Sequence, residues 1–130
     1  MPAQWTVNHP MRLVIAIATG DLRLPDIEQY LDEVVRADAL AYRKIFDATQ
    51  AMPKLSDDDL LALGARVRAY IPLGQLGPLA IVATTDESYQ QASMFAALAT
   101  ADRPIEIFRH LREAQQWLDS QPDQQSKSPH

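Results

Sequence analysis

Strand and helix signals alternate along nearly the whole chain. The last pair is the clearest: Ile105-Glu106-Ile107-Phe108, then Leu111, Ala114, Trp117 and Leu118 at helical spacing. A strand followed by enough chain for a helix, then by another strand, leaves few architectures open. The link is too long for a hairpin, so successive strands run parallel. The segment Leu13-Val14-Ile15-Ala16-Ile17-Ala18 is apolar at every position rather than alternating. That pattern predicts a strand covered by helices on both faces.

The remaining elements follow from punctuation. Trp5-Thr6-Val7 and Met11 to Thr19 form a hairpin around Asn8-His9-Pro10, and Thr19-Gly20-Asp21 ends its second strand. Pro25 suits a first helical turn, where its missing N–H is not needed. Ile27, Tyr30, Leu31, Val34 and Val35 then make one helical stripe. Tyr42 to Ala48 is a second central strand. Ser56 caps the next helix, with Asp57, Asp58 and Asp59 favouring the positive end of its dipole. Leu60, Leu63, Gly64, Val67 and Ile71 are its buried stripe. Gly64 costs about 1 kcal/mol relative to Ala, which predicts close approach to a neighbouring strand. Pro72, Gly74, Gly77 and Pro78 end this helix, and Leu79 to Ala83 is a third strand.

Asp86 or Ser88 caps a helix running from Tyr89 to Ala101 that is apolar around most of its circumference. Such a helix needs cover beyond the sheet. Either the last helix or a loop lies over it, or it forms a partner surface or an apolar ligand groove. Met94, Phe95 and Leu98 are the candidate homodimer contact. The fold class is therefore α/β, a single mixed, mostly parallel sheet of about five strands with four crossover helices. One domain spans 1–118, and the polar residues 119–130 are expected to be a disordered tail. A ferredoxin-like sheet is disfavoured because the strand-helix units repeat without interruption.

Composition narrows function by exclusion. A chain of 130 residues can bury one core unaided. No cysteine is present, so there is no thiol chemistry and no thiolate metal ligand. A net charge of −5 disfavours nucleic acid and anionic membrane surfaces. No apolar run is long enough to cross a bilayer and no secretory leader is evident, so a cytoplasmic protein is expected. No phosphate-cradling glycine loop, nucleophile motif or helical histidine pair occurs among His9, His110 and His130. No cofactor and no metal are expected.

Several segments together resemble the SpoIIAA-like STAS/SEC14 family of small bacterial α/β proteins. They are the hairpin ending in Thr19-Gly20, Ile45-Phe46-Asp47 before the Ser56 helix, Ala80 to Thr85 leading to Tyr89 and Met94-Phe95, and Ile107-Phe108-Arg109 with Glu113-Ala114 and Trp117-Leu118. The resemblance covers about residues 5 to 118. It implies a STAS-type sheet and a non-enzymatic binding or regulatory role, through protein contact or small-ligand recognition. The SEC14 side implies an alternative, carriage of a lipid or apolar small molecule. Anti-sigma-factor antagonists of this fold carry a phosphorylatable serine in an Asp-Ser-Ser-Gly-like turn. Here Asp47 to Leu55 contains no such turn, and Ser56 is the nearest serine.

Open α/β sheets bind ligands beyond the carboxyl ends of their strands. Thr19, Asp21, Asp47, Thr49, Gln50, Thr84, Thr85, Asp86 and His110 fall there and form the candidate ligand site. Each is also a residue type favoured in turns and caps. A third reading is an enzyme using Asp47, Thr84 and His110.

Overall fold

A computed structural model describes residues 3–99 and 103–121. The chain forms β1 (Ala3–Asn8), β2 (Leu13–Leu22), α1 (Leu24–Arg36), β3 (Arg43–Pro53), α2 (Asp57–Arg68), β4 (Leu79–Val82), α3 (Asp86–Leu98), β5 (Ile105–Phe108) and α4 (Leu111–Asp119). The five strands make one sheet in the order β1-β2-β3-β4-β5. β1 is antiparallel to β2, and every other pair is parallel. This is the mixed, mostly parallel α/β sheet that the alternation predicts. No helix among the described residues is long and apolar enough to cross a membrane.

Each parallel strand is added on the same side of the one before. A right-handed crossover then puts every connecting helix on the same face of the sheet. Accordingly α1 packs on α2 and α2 on α3. α4 follows the last strand instead of linking two, and it covers β3, β4 and β5 from the other side. There Ala114 and Leu118 meet Ile45, Ala80 and Val82. β2 is therefore not covered on both faces. Val14, Ala16 and Ala18 are buried under the helices, but Ile15 and Ile17 are 38% and 46% exposed because α4 packs further along the sheet.

Neither β2 nor β3 stops where its turn-forming residues suggest. Ile17 pairs with Asp47 and Thr19 with Gln50, so β3 carries one extra residue, and the ladder then resumes to Leu22 and Pro53. The Asp47 carboxylate accepts from the Thr49 backbone N–H at 3.0 Å and from its hydroxyl at 2.7 Å. The bulge is thus stabilised by a local side-chain acceptor. Gly20, at φ +67°, accommodates the bend on β2. The extra length carries Leu22 and Ala51 into a small apolar cluster with Ala3, Ala18 and Ala48.

Helix boundaries also differ in detail. α2 ends at Arg68, and Ile71 falls in a following 3-10 turn (Ile71–Leu73), where it is exposed instead of completing the buried stripe. Pro72 supplies no backbone N–H and disfavours helix at the residue before it. Thr85, not Asp86 or Ser88, caps α3, its hydroxyl accepting from the Ser88 N–H at 3.0 Å. The cover over α3 comes from α2 rather than from the last helix, which lies across the sheet. Thr100, Ala101 and residues 122–130 of the expected tail lie outside the described residues.

Gly64 earns its place by approaching a helix, not a strand. A Cβ there would sit 2.9 Å from Leu98 Cβ and 3.0 Å from the Leu98 carbonyl oxygen. Neither atom is the end of a flexible side chain, so α2 and α3 must separate to admit it. Gly64→Ala should therefore lower stability by about 1–3 kcal/mol, despite alanine's better helix propensity. Urea denaturation measures this, and an unchanged or raised midpoint would contradict the close contact.

Candidate functional site

The residues expected at the carboxyl ends of the strands are largely committed to local structure. Thr19 and Gln50 face each other across the bulged β2–β3 pair, and Asp47 holds Thr49. Asp21 is exposed and pairs with Arg23 at 3.6 Å. Thr85 caps α3, while the Thr84 carbonyl accepts from Arg109 at 3.0 Å. Arg109 also pairs with Asp86 at 3.0 Å and stacks over the Tyr89 ring at 4.5 Å. His110 is exposed at the start of α4 and makes no capping bond. Thr84 and His110 follow the ends of β4 and β5, whereas Thr19, Asp47, Thr49 and Gln50 lie inside the extended β2–β3 ladder and not, as the sequence suggested, beyond its carboxyl end.

Ser56 is exposed and occupied as a cap. Its hydroxyl accepts from the Asp59 N–H at 3.0 Å, and the Asp59 carboxylate accepts from the Ser56 N–H at 3.0 Å. This reciprocal arrangement is the capping box. Of the three α3 residues considered as a partner surface, Met94 is exposed. Phe95 turns inward to a cavity, and Leu98 packs on Gly64.

That cavity lies between the sheet and the three crossover helices and measures about 110 Å³. Leu31 of α1, Leu63 of α2, Phe95 of α3, Phe46 of β3 and Ile81 of β4 contribute to its walls. The volume is smaller than the roughly 150 Å³ of a sealed cavity that holds a benzene-sized molecule, but the space is half open, so a longer apolar chain need not fit wholly inside it. The alternating side chains of β3 explain one wall: Lys44, Phe46 and Ala48 share the face under the helices.

The polar groups on this apolar wall are unusual. Lys44 is buried, and its ammonium donates to the Tyr42 carbonyl at 2.7 Å and to the Leu40 carbonyl. Arg103 donates through Nη1 to the Gly77 carbonyl at 3.1 Å, but its buried Nε has no hydrogen-bond partner. The Tyr30 hydroxyl and Gln91 Oε1 are likewise buried without partners. Among the described residues, no Asp or Glu lines the cavity. Burial pushes the Lys44 pKa well below its usual range, and the nearby Arg103 charge pushes it further. Burial also lowers Arg103, to about 10, against an opposing contribution from Tyr30. Burial raises the Tyr30 hydroxyl, with Arg103 acting the other way. At neutral pH the Tyr30 hydroxyl thus keeps its proton and Arg103 its charge.

None of these four residues stands in the site expected from the sequence. Lys44 carried a faint signal, being a lone charge on the buried face of an apolar strand. Tyr30 was visible only as part of a helical stripe. Arg103 sits in the α3–β5 connection, and nothing in Arg103-Pro104 marks its guanidinium as buried.

The sheet order, one antiparallel edge strand and three helices on one face define a SpoIIAA-like α/β fold. The chain is similar to the crystal structure of an uncharacterized DUF3478-family protein with a SpoIIAA-like fold from Shewanella loihica PV-4. The TM-score is 0.59 at 18% identity, covering 89% of this chain and 93% of that one. No protein-family model and no curated protein matches the chain.

A buried ammonium with a lowered pKa makes stability depend on pH. The unfolded lysine holds its proton up to about pH 10.4. Folded Lys44 releases it lower, so between the two values the unfolded state binds more protons and stability rises with pH. Lys44→Met removes this destabilising charge. The variant should be more stable than wild type at pH 7, by about 1–4 kcal/mol on the scale seen for buried charges replaced by apolar residues. Its advantage should shrink as pH rises toward the Arg103 value of about 10. Urea midpoints across that range check it; lower stability at pH 7, or an advantage independent of pH, would contradict it.

Proposed function

We propose that this chain is a STAS-like, non-enzymatic binding domain whose ligand is an apolar small molecule held between the sheet and helices α1, α2 and α3. The observation carrying this reading is the cavity of about 110 Å³ with an almost wholly apolar wall. Well-packed cores leave few voids larger than a water molecule, so a cavity of this size is a feature to be explained. It also favours the small-ligand side of the STAS/SEC14 resemblance over recognition through protein contact alone. Carriage and sensing of the ligand both begin with that binding step.

Enzymatic chemistry finds less support. Asp47 is engaged by Thr49, and Thr84 and His110 are exposed on separate strand ends. A catalytic group must lie within hydrogen-bond reach of the proton it moves, and this edge offers no converging set.

Backbone amide NMR tests the reading. Titration with a panel of alcohols and carboxylates of six to ten carbons should shift resonances around Phe46, Leu63, Ile81 and Phe95. Ala92→Phe, which fills the cavity from α3, should abolish those shifts while circular dichroism stays native. Shifts confined to the surface, or shifts that persist in Ala92→Phe, would count against an internal site.

A further inference from the structure

We propose that the molecule taken into this cavity carries one carboxylate on an apolar body, with the carboxylate seated by Arg103, Lys44 and the Tyr30 hydroxyl. This rests on the reading of the cavity as a ligand site and adds the chemistry of the head group.

Charge decides the sign of the ligand. Arg103 and Lys44 both line the cavity, and no carboxylate among the described residues lines it with them. A buried charge is costly unless paired; Arg103 keeps its charge, and its field together with burial opposes protonation of Lys44 beside it. A cationic ligand would deepen that cost, and a neutral one would leave it in place. An anion relieves it.

Donor count favours a carboxylate over larger anions. The Arg103 Nε–H and the Tyr30 O–H are two buried donors without partners, which match two carboxylate oxygens. Lys44 supplies charge more than new hydrogen bonds, because its ammonium already donates to the Tyr42 and Leu40 carbonyls. Gln91 Oε1 is an unpartnered acceptor as placed, and a half-turn of the amide presents a donor instead. A phosphate ester has three terminal oxygens and a higher charge, for which this set is too small. Recognition of a carboxylate by a guanidinium is strong and directional. The rest of the wall, including Phe46, Leu63 and Ile81, fits an apolar body.

Isothermal titration of the full chain at pH 7 with octanoate, octan-1-ol and octyl phosphate tests this. Octanoate should bind at least tenfold more tightly than octan-1-ol and more tightly than octyl phosphate. Arg103→Met should cost octanoate at least tenfold while changing octan-1-ol by less than about twofold. If circular dichroism shows Arg103→Met unfolded, Lys44→Met makes the same comparison with the same expectation. Octan-1-ol or octyl phosphate binding as tightly as octanoate overturns the carboxylate assignment and leaves the cavity reading standing. So does an octanoate preference that survives the variant. No heat and no amide shifts with any of the three overturns the cavity reading itself.

Discussion

The handedness of the crossovers governs this structure. β2, β3, β4 and β5 are laid down in order across the sheet, each parallel to the last, so right-handed connections have one face available to them. Three helices then share that face while, among the described residues, α4 alone serves the other. The crowding is relieved at one place by Gly64, which lets α2 and α3 meet with almost no side chain between them. Where the helices instead span toward β3 and β4, a space remains between them and the sheet. The exposed Ile15 and Ile17 on the opposite face follow from the same arrangement.

Two basic side chains in that space work against stability. Lys44 is tied to backbone carbonyls and Arg103 to the Gly77 carbonyl, so neither is wholly unsatisfied. Neither has an acidic partner among the described residues lining the cavity, and apolar residues of similar size would be easier to bury. Unpartnered buried groups of this kind mark sites where packing has yielded to another requirement. The edge residues suggested by general α/β logic instead form a bulge, a cap and surface ion pairs. Strand ends need such groups whether or not a ligand binds there.

Much of the fold was legible in the sequence because it rests on local signals. Alternation set the sheet type, Ser56 and its acidic run set the start of α2, and the stripe from Ile27 to Val34 set the inner face of α1. The misses in the strands have one main cause, which is that long-range pairing overrode local punctuation. Gly20 and the Asp47–Thr49 pair read as turns, yet the β2–β3 ladder runs past both. A fully apolar β2 read as two-sided because the position of α4 depends on where the last strand falls. The site was harder still. The cavity depends on how three helices sit together, and Tyr30, Lys44 and Arg103 come from three separate segments with no motif linking them.

The most direct test of the central claim is the position of a carboxylate ligand in a crystal. Crystals soaked with 8-bromooctanoate should give an anomalous bromine peak inside the apolar space bounded by Phe46, Leu63 and Ile81. The carboxylate should then lie within hydrogen-bond distance of Arg103 Nε. Bromine found only at the carboxyl edge of the sheet or on the outer surface, with nothing between the sheet and its three helices, would contradict an internal anion-capped site.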